Sequence, residues 1–205
     1  MLNIAVLVSG GGTNLQAILD AEARGEIPGG KVTLVVASKP GVFALERAKN
    51  AGIPGIVVRR KDYESSGDFD AALLKELHDH QIDLVVLAGF LSVLGPSVIA
   101  AYPMRILNIH PSLIPSFCGP GYYGLRVHEE ALKRGVKVTG ATVHFVNSIP
   151  DGGEIIAQKA VDVLPGDTPE SLQRRVMEQA EWILLPQATE QVCAELTQQV
   201  KGENT

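Results

Sequence analysis

Asn108 and His110 stand two residues apart in Arg105-Ile106-Leu107-Asn108-Ile109-His110-Pro111. Apolar residues at 106, 107 and 109 predict a short buried strand that Pro111 ends. Side chains alternate along a strand, so the two polar groups fall on one face of its end. An amide placed there can hold a developing oxyanion, and an imidazole can move a proton near neutral pH. A polar strand end with an ordinary hydrogen-bonded histidine would read the same way, because buried polar groups usually just find partners. Asp151, in Asp151-Gly152-Gly153, is a third candidate. Asp-Gly is common turn chemistry, and its chemical reading requires a tertiary contact. A carboxylate facing His110 would favour the protonated ring and orient it.

Ser9-Gly10-Gly11-Gly12-Thr13-Asn14 forms another constellation. Three glycines let the backbone bend tightly and present N–H groups at the start of a helix, where partial positive charge favours a phosphate. The dinucleotide fingerprint is incomplete, since Leu15 stands where the third glycine belongs, and no Gly-Lys-Ser/Thr of a Walker loop follows. A tight turn with Thr13 or Asn14 as helix cap is the competing reading. Of the other histidines, His78 and His80 fall at the polar end of a helix. His144 reads as a satisfied sheet residue and His128 as a helix-face residue, the only rival to His110. No Gly-x-Ser-x-Gly elbow, His-Glu-x-x-His or clustered metal ligands occur.

These groups need a frame. Residues 2–9 and 83–87 are continuous apolar runs, the pattern of strands buried on both faces of a parallel sheet. Further strands are expected at 31–37 and 56–58. Helices are expected from Leu15, at 42–51, 69–80 and 97–102, with 59–62 a solvated loop. Alternating strands and helices predict a doubly wound, mostly parallel Rossmann-like α/β sheet with helices on both faces. Ligands in such folds bind beyond the carboxyl ends of the strands, which places the loops at 10–14, 88–94 and 108–112 on one rim.

The second half reads differently. Residues 116–124 form a glycine- and aromatic-rich loop before a helix at 125–134. Long strands follow at 136–146 and 155–163, around a turn at 150–153. Thr168 caps a C-terminal helix with Pro169 at its first position and Ser171 at the capping-box position without an acid. That helix runs through Trp182 to Pro186, another follows, and residues 201–205 look frayed. One domain is expected, with a phosphate-binding α/β lobe over 1–102 and a catalytic and C-terminal helical lobe over 103–205.

Composition excludes several classes. With 205 residues, 45% of them hydrophobic, the chain can bury a core without staples. A net charge of −5 and no basic run argue against a nucleic-acid surface. Cys118 and Cys193 match no metal or redox spacing and suit a reducing cytoplasm. The apolar N-terminus lacks a basic n-region and is too short to span a bilayer.

Taken together, Ser9-Gly10-Gly11-Gly12-Thr13-Asn14-Leu15-Gln16, Leu87-Ala88-Gly89-Phe90, Leu107-Asn108-Ile109-His110-Pro111-Ser112-Leu113-Ile114-Pro115 and Asp151-Gly152-Gly153 resemble the phosphoribosylglycinamide formyltransferases. These belong to the folate-dependent formyltransferase superfamily and share its formyltransferase fold. The resemblance runs from Met1 to about Pro186. It implies formyl transfer from 10-formyltetrahydrofolate, as co-substrate, to the amine of glycinamide ribonucleotide in purine biosynthesis, with no metal. It also implies small-molecule partners only, and a monomer or weak homodimer. Carried over position by position, it assigns Gly12, Thr13, Asn14, Leu15 and Gln16 to the phosphate. Leu91, Ser92, Val93 and Leu94, with Asn108, fall to folate, and Asn108, His110 and Asp151 to catalysis. Glu181, counted back from Pro186 across one inserted residue, falls to the glycinamide substrate.

The chain also departs from the family. Ser66 stands where many members have a basic folate contact, with Arg60 and Lys61 nearby. The segment 116–126 is longer than usual, and Arg126 takes a usual histidine position. Rival readings are a formyltetrahydrofolate hydrolase, a methionyl-tRNA formyltransferase and a phosphate-ligand binding module without turnover. The first two usually carry an extra domain for which a chain of this length is expected to have no room.

Overall fold

The computed structural model describes the backbone of residues 1–202 and the side chains of residues 1–199. Its spine is a seven-stranded sheet in the order β3-β2-β1-β4-β5-β6-β7. Five strands run parallel: β1 (Leu2–Val8), β2 (Gly30–Ala37), β3 (Gly55–Val57), β4 (Leu84–Leu87) and β5 (Ile106–His110). Then β6 (Val138–Phe145) runs against β5, and β7 (Ile155–Asp162) pairs antiparallel with β6 at the sheet edge. The expectation of a mostly parallel, doubly wound sheet holds.

Burial explains the apolar runs. Residues 4–8 of β1 and 84–86 of β4 are fully enclosed, because the sheet is covered on both faces. One face packs against α1 (Thr13–Ala23), α2 (Phe43–Asn50) and α7 (Trp182–Gly202) through Leu15, Ile18, Ala44, Leu185 and Val192. The other packs against α3 (Ser66–Asp79) and α4 (Pro96–Ala101) through Phe69, Leu73, Leu77 and Val98. Strand order reverses between β1 and β4, so the loops after these two strands open onto one crevice.

Several boundaries differ from the sequence reading for local reasons. Residues 60–62 form a 3₁₀ turn instead of an open loop. Helix α3 starts three residues early, because Ser65 and Asp68 form a capping box that recruits the polar stretch before Phe69. The box at α6 (Pro169–Val176) closes without an acid: the Ser171 hydroxyl accepts from Thr168 N–H at 2.9 Å, while Thr168 accepts from Ser171 N–H at 3.2 Å. The C-terminal segment does not break at Pro186, which lies inside α7. Lys201 and Gly202 close α7, and the rest of the expected frayed end lies outside the described residues.

Two anchors fix the loop after β4. The Ser9 hydroxyl accepts from Leu91 N–H at 2.9 Å and from the Ser38 hydroxyl at 2.7 Å. The buried Asp70 carboxylate accepts from Gly95 N–H at 3.0 Å and from the Ser97 hydroxyl at 2.9 Å, holding the start of α4.

Candidate functional site

The turn after β1 presents its backbone as the sequence suggested. Gly12 is the residue before α1, at φ 70°, with no side-chain cap. Neither Thr13 nor Asn14 caps the helix, which removes the competing reading. Among the described residues, no acceptor takes the N–H groups of Gly11 to Leu15; the first N–H of α1 with a partner belongs to Gln16. A helix start left open like this is an anion site. Gly12 is required there for a second reason, since a Cβ would stand 2.7 Å from that of Ala44 on α2.

Asn108, His110 and Asp151 come together as expected, with a fourth group the sequence reading missed. His144 lies directly across from Asn108 in the antiparallel pairing of β5 with β6. Its Nδ1 sits 2.8 Å from the Phe145 carbonyl, which can only accept, so Nδ1 carries the proton. Its Nε2 lies 3.1 Å from the Asn108 amide nitrogen. Asp151 stands between the two histidines, 3.6 Å from His110 Nδ1 and 3.6 Å from His144 Nε2. It is reached by Gly119 N–H at 2.8 Å and lies 3.5 Å from the Asn108 amide nitrogen. The only signal for His144 was its type, because pairing register across 36 residues cannot be read from one strand.

Asp151 itself adopts φ 54°, a left-handed conformation that a short polar residue tolerates. Gly153 follows because the Phe145 carbonyl oxygen occupies the place its Cβ would take. The turn is wedged against the end of β6, and this aims the carboxylate back at β5.

Electrostatics modify the sequence expectation for His110. Burial depresses its pKa and outweighs the opposing pull of Asp151 and of the Phe117 carbonyl, so the net shift is downward. Asp151 favours the charged ring, and desolvation opposes it more strongly. The Nε2 of His110 donates to the Phe117 carbonyl at 2.8 Å. Burial tends to raise the pKa of Asp151, but His144, Gly119 N–H and His110 together hold it below the usual carboxylate range. His128 lies on a helix, as expected. It is fully buried in α5 (Leu125–Arg134), with neither ring nitrogen partnered among the described residues. Burial, then the proximity of His110, push its pKa down to about 4.

Glu181 reaches the same place from the C-terminal segment. Residues Met177–Glu181 form a π-turn between α6 and α7. Such a turn holds one residue more than an α-helical turn. The turn delivers Glu181 to Asn14, whose amide donates to the carboxylate at 2.7 Å. Burial raises the Glu181 pKa against that hydrogen bond. Asn14 Oδ1 is left without a partner among the described residues.

Two cavities meet at these groups. One, of about 240 Å³, is lined by Asn14, His110, Tyr122, Tyr123, Gln173 and Glu181, among others. The other, of about 650 Å³, has Phe90, Leu94, Ile99 and Val146 among its apolar walls and includes all of Leu91 to Leu94. Phe90, Leu91, Asn108 and Asp151 line both. Tyr122 and Tyr123 come from the long loop at 116–126, and Gln173, which was not foreseen as a lining residue, comes from α6. The loop itself is tied to the same groups, through the Phe117 carbonyl to His110 and Gly119 N–H to Asp151.

The chain matches the formyl transferase family model over residues 2–189. It is 42% identical over 179 residues to the phosphoribosylglycinamide formyltransferase of Haemophilus influenzae, covering 87% of this chain and 82% of that one. It is 42% identical over 201 residues to the human trifunctional purine biosynthetic protein adenosine-3, covering 98% of this chain but 19% of that much longer protein. The crystal structure of glycinamide ribonucleotide transformylase 1 from Symbiobacterium toebii superposes with a TM-score of 0.89 at 45% identity, covering 95% of this chain and 89% of that one. With its fold, its motifs and nearly its whole length matched, this chain belongs to the formyl transferase family.

Proposed function

We propose that the protein transfers the formyl group of 10-formyltetrahydrofolate to the terminal amine of 5-phosphoribosylglycinamide, in the cytoplasm, as a step of de novo purine (IMP) biosynthesis. The observation that carries this reading is the shared wall of the two cavities. A group transfer needs a donor and an acceptor held at one place, and Asn108 and Asp151 border both spaces. The larger, mostly apolar cavity suits the flat ring system of a folate. The smaller one is bordered by Asn14, beside the open N–H groups of Gly11 to Leu15, and suits a phosphorylated amine.

In this reading Glu181 orients the substrate amine, and a neutral amine attacks the formyl carbon. Asn108 keeps one amide N–H on His144 and offers the other to the oxygen that becomes an oxyanion. At rest the pKa of His110 is lowered by burial. Negative charge developing beside it raises its pKa, so it becomes a stronger donor as the oxyanion forms. Asp151 steadies the charged ring and, directly or through water, passes the proton from the attacking amine to the leaving folate nitrogen.

The test is absorbance on mixing with 10-formyltetrahydrofolate, with and without glycinamide ribonucleotide. Folate release only with the amine is expected. Release without it would indicate a hydrolase, and no release in either case a binding module. His110→Ala should lower kcat by roughly 10²–10³-fold, as loss of such a donor does, while glycinamide ribonucleotide still binds. Unchanged turnover would remove His110 from the mechanism.

A further inference from the structure

Arg47 on α2 approaches the turn after β1 from behind. Its Nε donates to the Gly11 carbonyl at 2.8 Å, and one Nη donates to the Gln16 side-chain carbonyl at 2.9 Å. The guanidinium lies 4.9 Å from the centre of the Phe43 ring, one turn earlier on the same helix. That cation–π contact gives the exposed Phe43 a role as a platform. Gln16 in turn donates to the Asp20 carboxylate at 2.8 Å, so both ends of its amide are engaged in bracing Arg47. No carboxylate pairs with Arg47 itself among the described residues.

These contacts decide which way a peptide faces. Gly10 and Gly11 have open space where a Cβ would stand, and glycine turns freely about φ and ψ. Packing therefore does not fix the planes of the Gly10–Gly11 and Gly11–Gly12 peptides. Both are trans, and in a trans peptide the C=O and the following N–H point in opposite directions. Ala44 N–H holds the Gly10 carbonyl at 3.3 Å, Arg47 holds that of Gly11, and Gln16 N–H holds that of Gly12 at 2.9 Å. With each carbonyl tied, the N–H groups of Gly11, Gly12 and Thr13 are directed the other way, where no acceptor among the described residues takes them. Two of the three ties come from the backbone, and Arg47 supplies the only one from a side chain. Independently, Asn14 lines the smaller cavity at 8% exposure with its Oδ1 unpartnered among the described residues, as a buried acceptor facing a ligand would be.

We infer that Arg47 is the positioning residue of the phosphate turn, setting the Gly11–Gly12 peptide so that Gly12 N–H meets the phosphate of the amine substrate. The inference rests on the formyl-transfer reading in taking a phosphorylated amine as the occupant, and deepens it. Arg47 stands on the carbonyl side of that peptide and acts without touching a ligand held on the N–H side. The Gln16 side chain, which the family resemblance gives to the phosphate, acts through Arg47. Loss of Arg47 weakens binding of the phosphorylated substrate and leaves the formyl donor and the rate at saturation alone.

Amide NMR spectra during titration with inorganic phosphate, read beside steady-state kinetics, test this. In wild type the Gly12 N–H signal should shift downfield as it takes up the anion. Arg47→Met keeps the apolar stem and removes the donors. At saturating phosphate it should lose the Gly12 shift and keep that of Thr13, which the helix orients. Its KM for glycinamide ribonucleotide should rise about ten- to hundredfold, the worth of one charge-assisted contact, with kcat and KM for 10-formyltetrahydrofolate unchanged. Arg47→Lys, which retains a donor and the charge, should recover part of both the shift and the KM. A wild-type KM in Arg47→Met, or a Gly12 shift that survives there, overturns the inference. So does an equal rise in both KM values, the mark of a merely structural role. Recovery of KM in Arg47→Lys without the Gly12 shift also overturns it, because charge alone would then suffice. Absence of formyl transfer by wild type, with the Gly12 shift dependent on Arg47, would instead overturn the formyl-transfer reading and leave the role of Arg47 standing.

Discussion

The turn after β1 and the turn that carries Asp151 both contain runs of glycine, yet a side chain added to each would meet different surroundings. At Gly10 and Gly11 a Cβ would have nothing within 4 Å. At Gly152 it would lie 2.6 Å from Ile149, and at Gly153 it would fall on the Phe145 carbonyl. The first turn uses glycine to leave space, so that backbone N–H groups can face a ligand. The second uses it to remove space, so that a carboxylate is pressed against two histidines. Glycine in a sequence therefore marks either a vacancy or a wedge, and only the neighbouring elements decide which.

Substitutions can break this contrast, beginning with the largest effect. Asp151→Asn keeps the shape of the wedge and removes its charge, so kcat should fall roughly 10²–10⁴-fold, the range for a group that moves a proton in the rate-determining barrier. Thermal stability should stay near wild type; steady-state kinetics beside a melting curve checks both. Gly153→Ala should damage the fold itself. Because a backbone carbonyl cannot step aside like a side chain, a cost near the upper end of about 1–3 kcal/mol is expected. At roughly 2–4 °C per kcal/mol for a chain of this size, calorimetry resolves it.

A third prediction concerns the protonation of the region behind the wedge. His128 has a folded pKa of about 4, against roughly 6.5 in an unfolded chain. Between those values the unfolded state binds a proton that the folded state refuses. The stability gained by keeping His128 neutral is therefore complete above about pH 6.5 and declines as pH falls toward 4. On the order of 2–3 kcal/mol is at stake across that window. The melting temperature should fall less steeply between pH 7 and 4.5 in His128→Leu than in wild type, and parallel slopes would contradict the assignment.

The smallest effect belongs to the first turn. Gly11→Ala should leave stability within about 0.5 kcal/mol, because its Cβ meets only open space. It should still raise KM for the phosphorylated amine, since that space is where the ligand sits. A stability loss without a change in KM would erase the distinction between the two turns.

How much of this was legible in sequence followed the range of the forces involved. Strands β1 and β4 were readable because burial on both faces imposes unbroken apolar runs on a single segment. Asn108 and His110 were readable because strand alternation is local, and the glycine turn because a strand–turn–helix junction has its own composition. His144 was hidden, since its role exists only through register with Asn108. The pull of Asp151 on His110 was readable because the carboxylate carries a sequence signal, whereas the opposing desolvation carries none. The burial of His128 on its helix was unreadable for the same reason. Glu181 was named only by counting back from Pro186, and the π-turn that carries it has no signature in the sequence.

That turn also governs how the C-terminal segment sits on the sheet. Leu172, Val176, Ala180, Leu184, Ala188, Val192 and Leu196 are all buried, each four positions after the last. On an uninterrupted α-helix of 3.6 residues per turn, a spacing of four advances about 40° per step. Six such steps would wind the stripe well off the sheet and into solvent. The wider turn at 177–181 takes back part of that advance and acts as a phase corrector between two rods. One extra residue thus keeps a seven-point apolar seam in contact with the core while it lifts a carboxylate out of the seam's edge. Removing a residue from this stretch would put the seam and Glu181 out of step with each other.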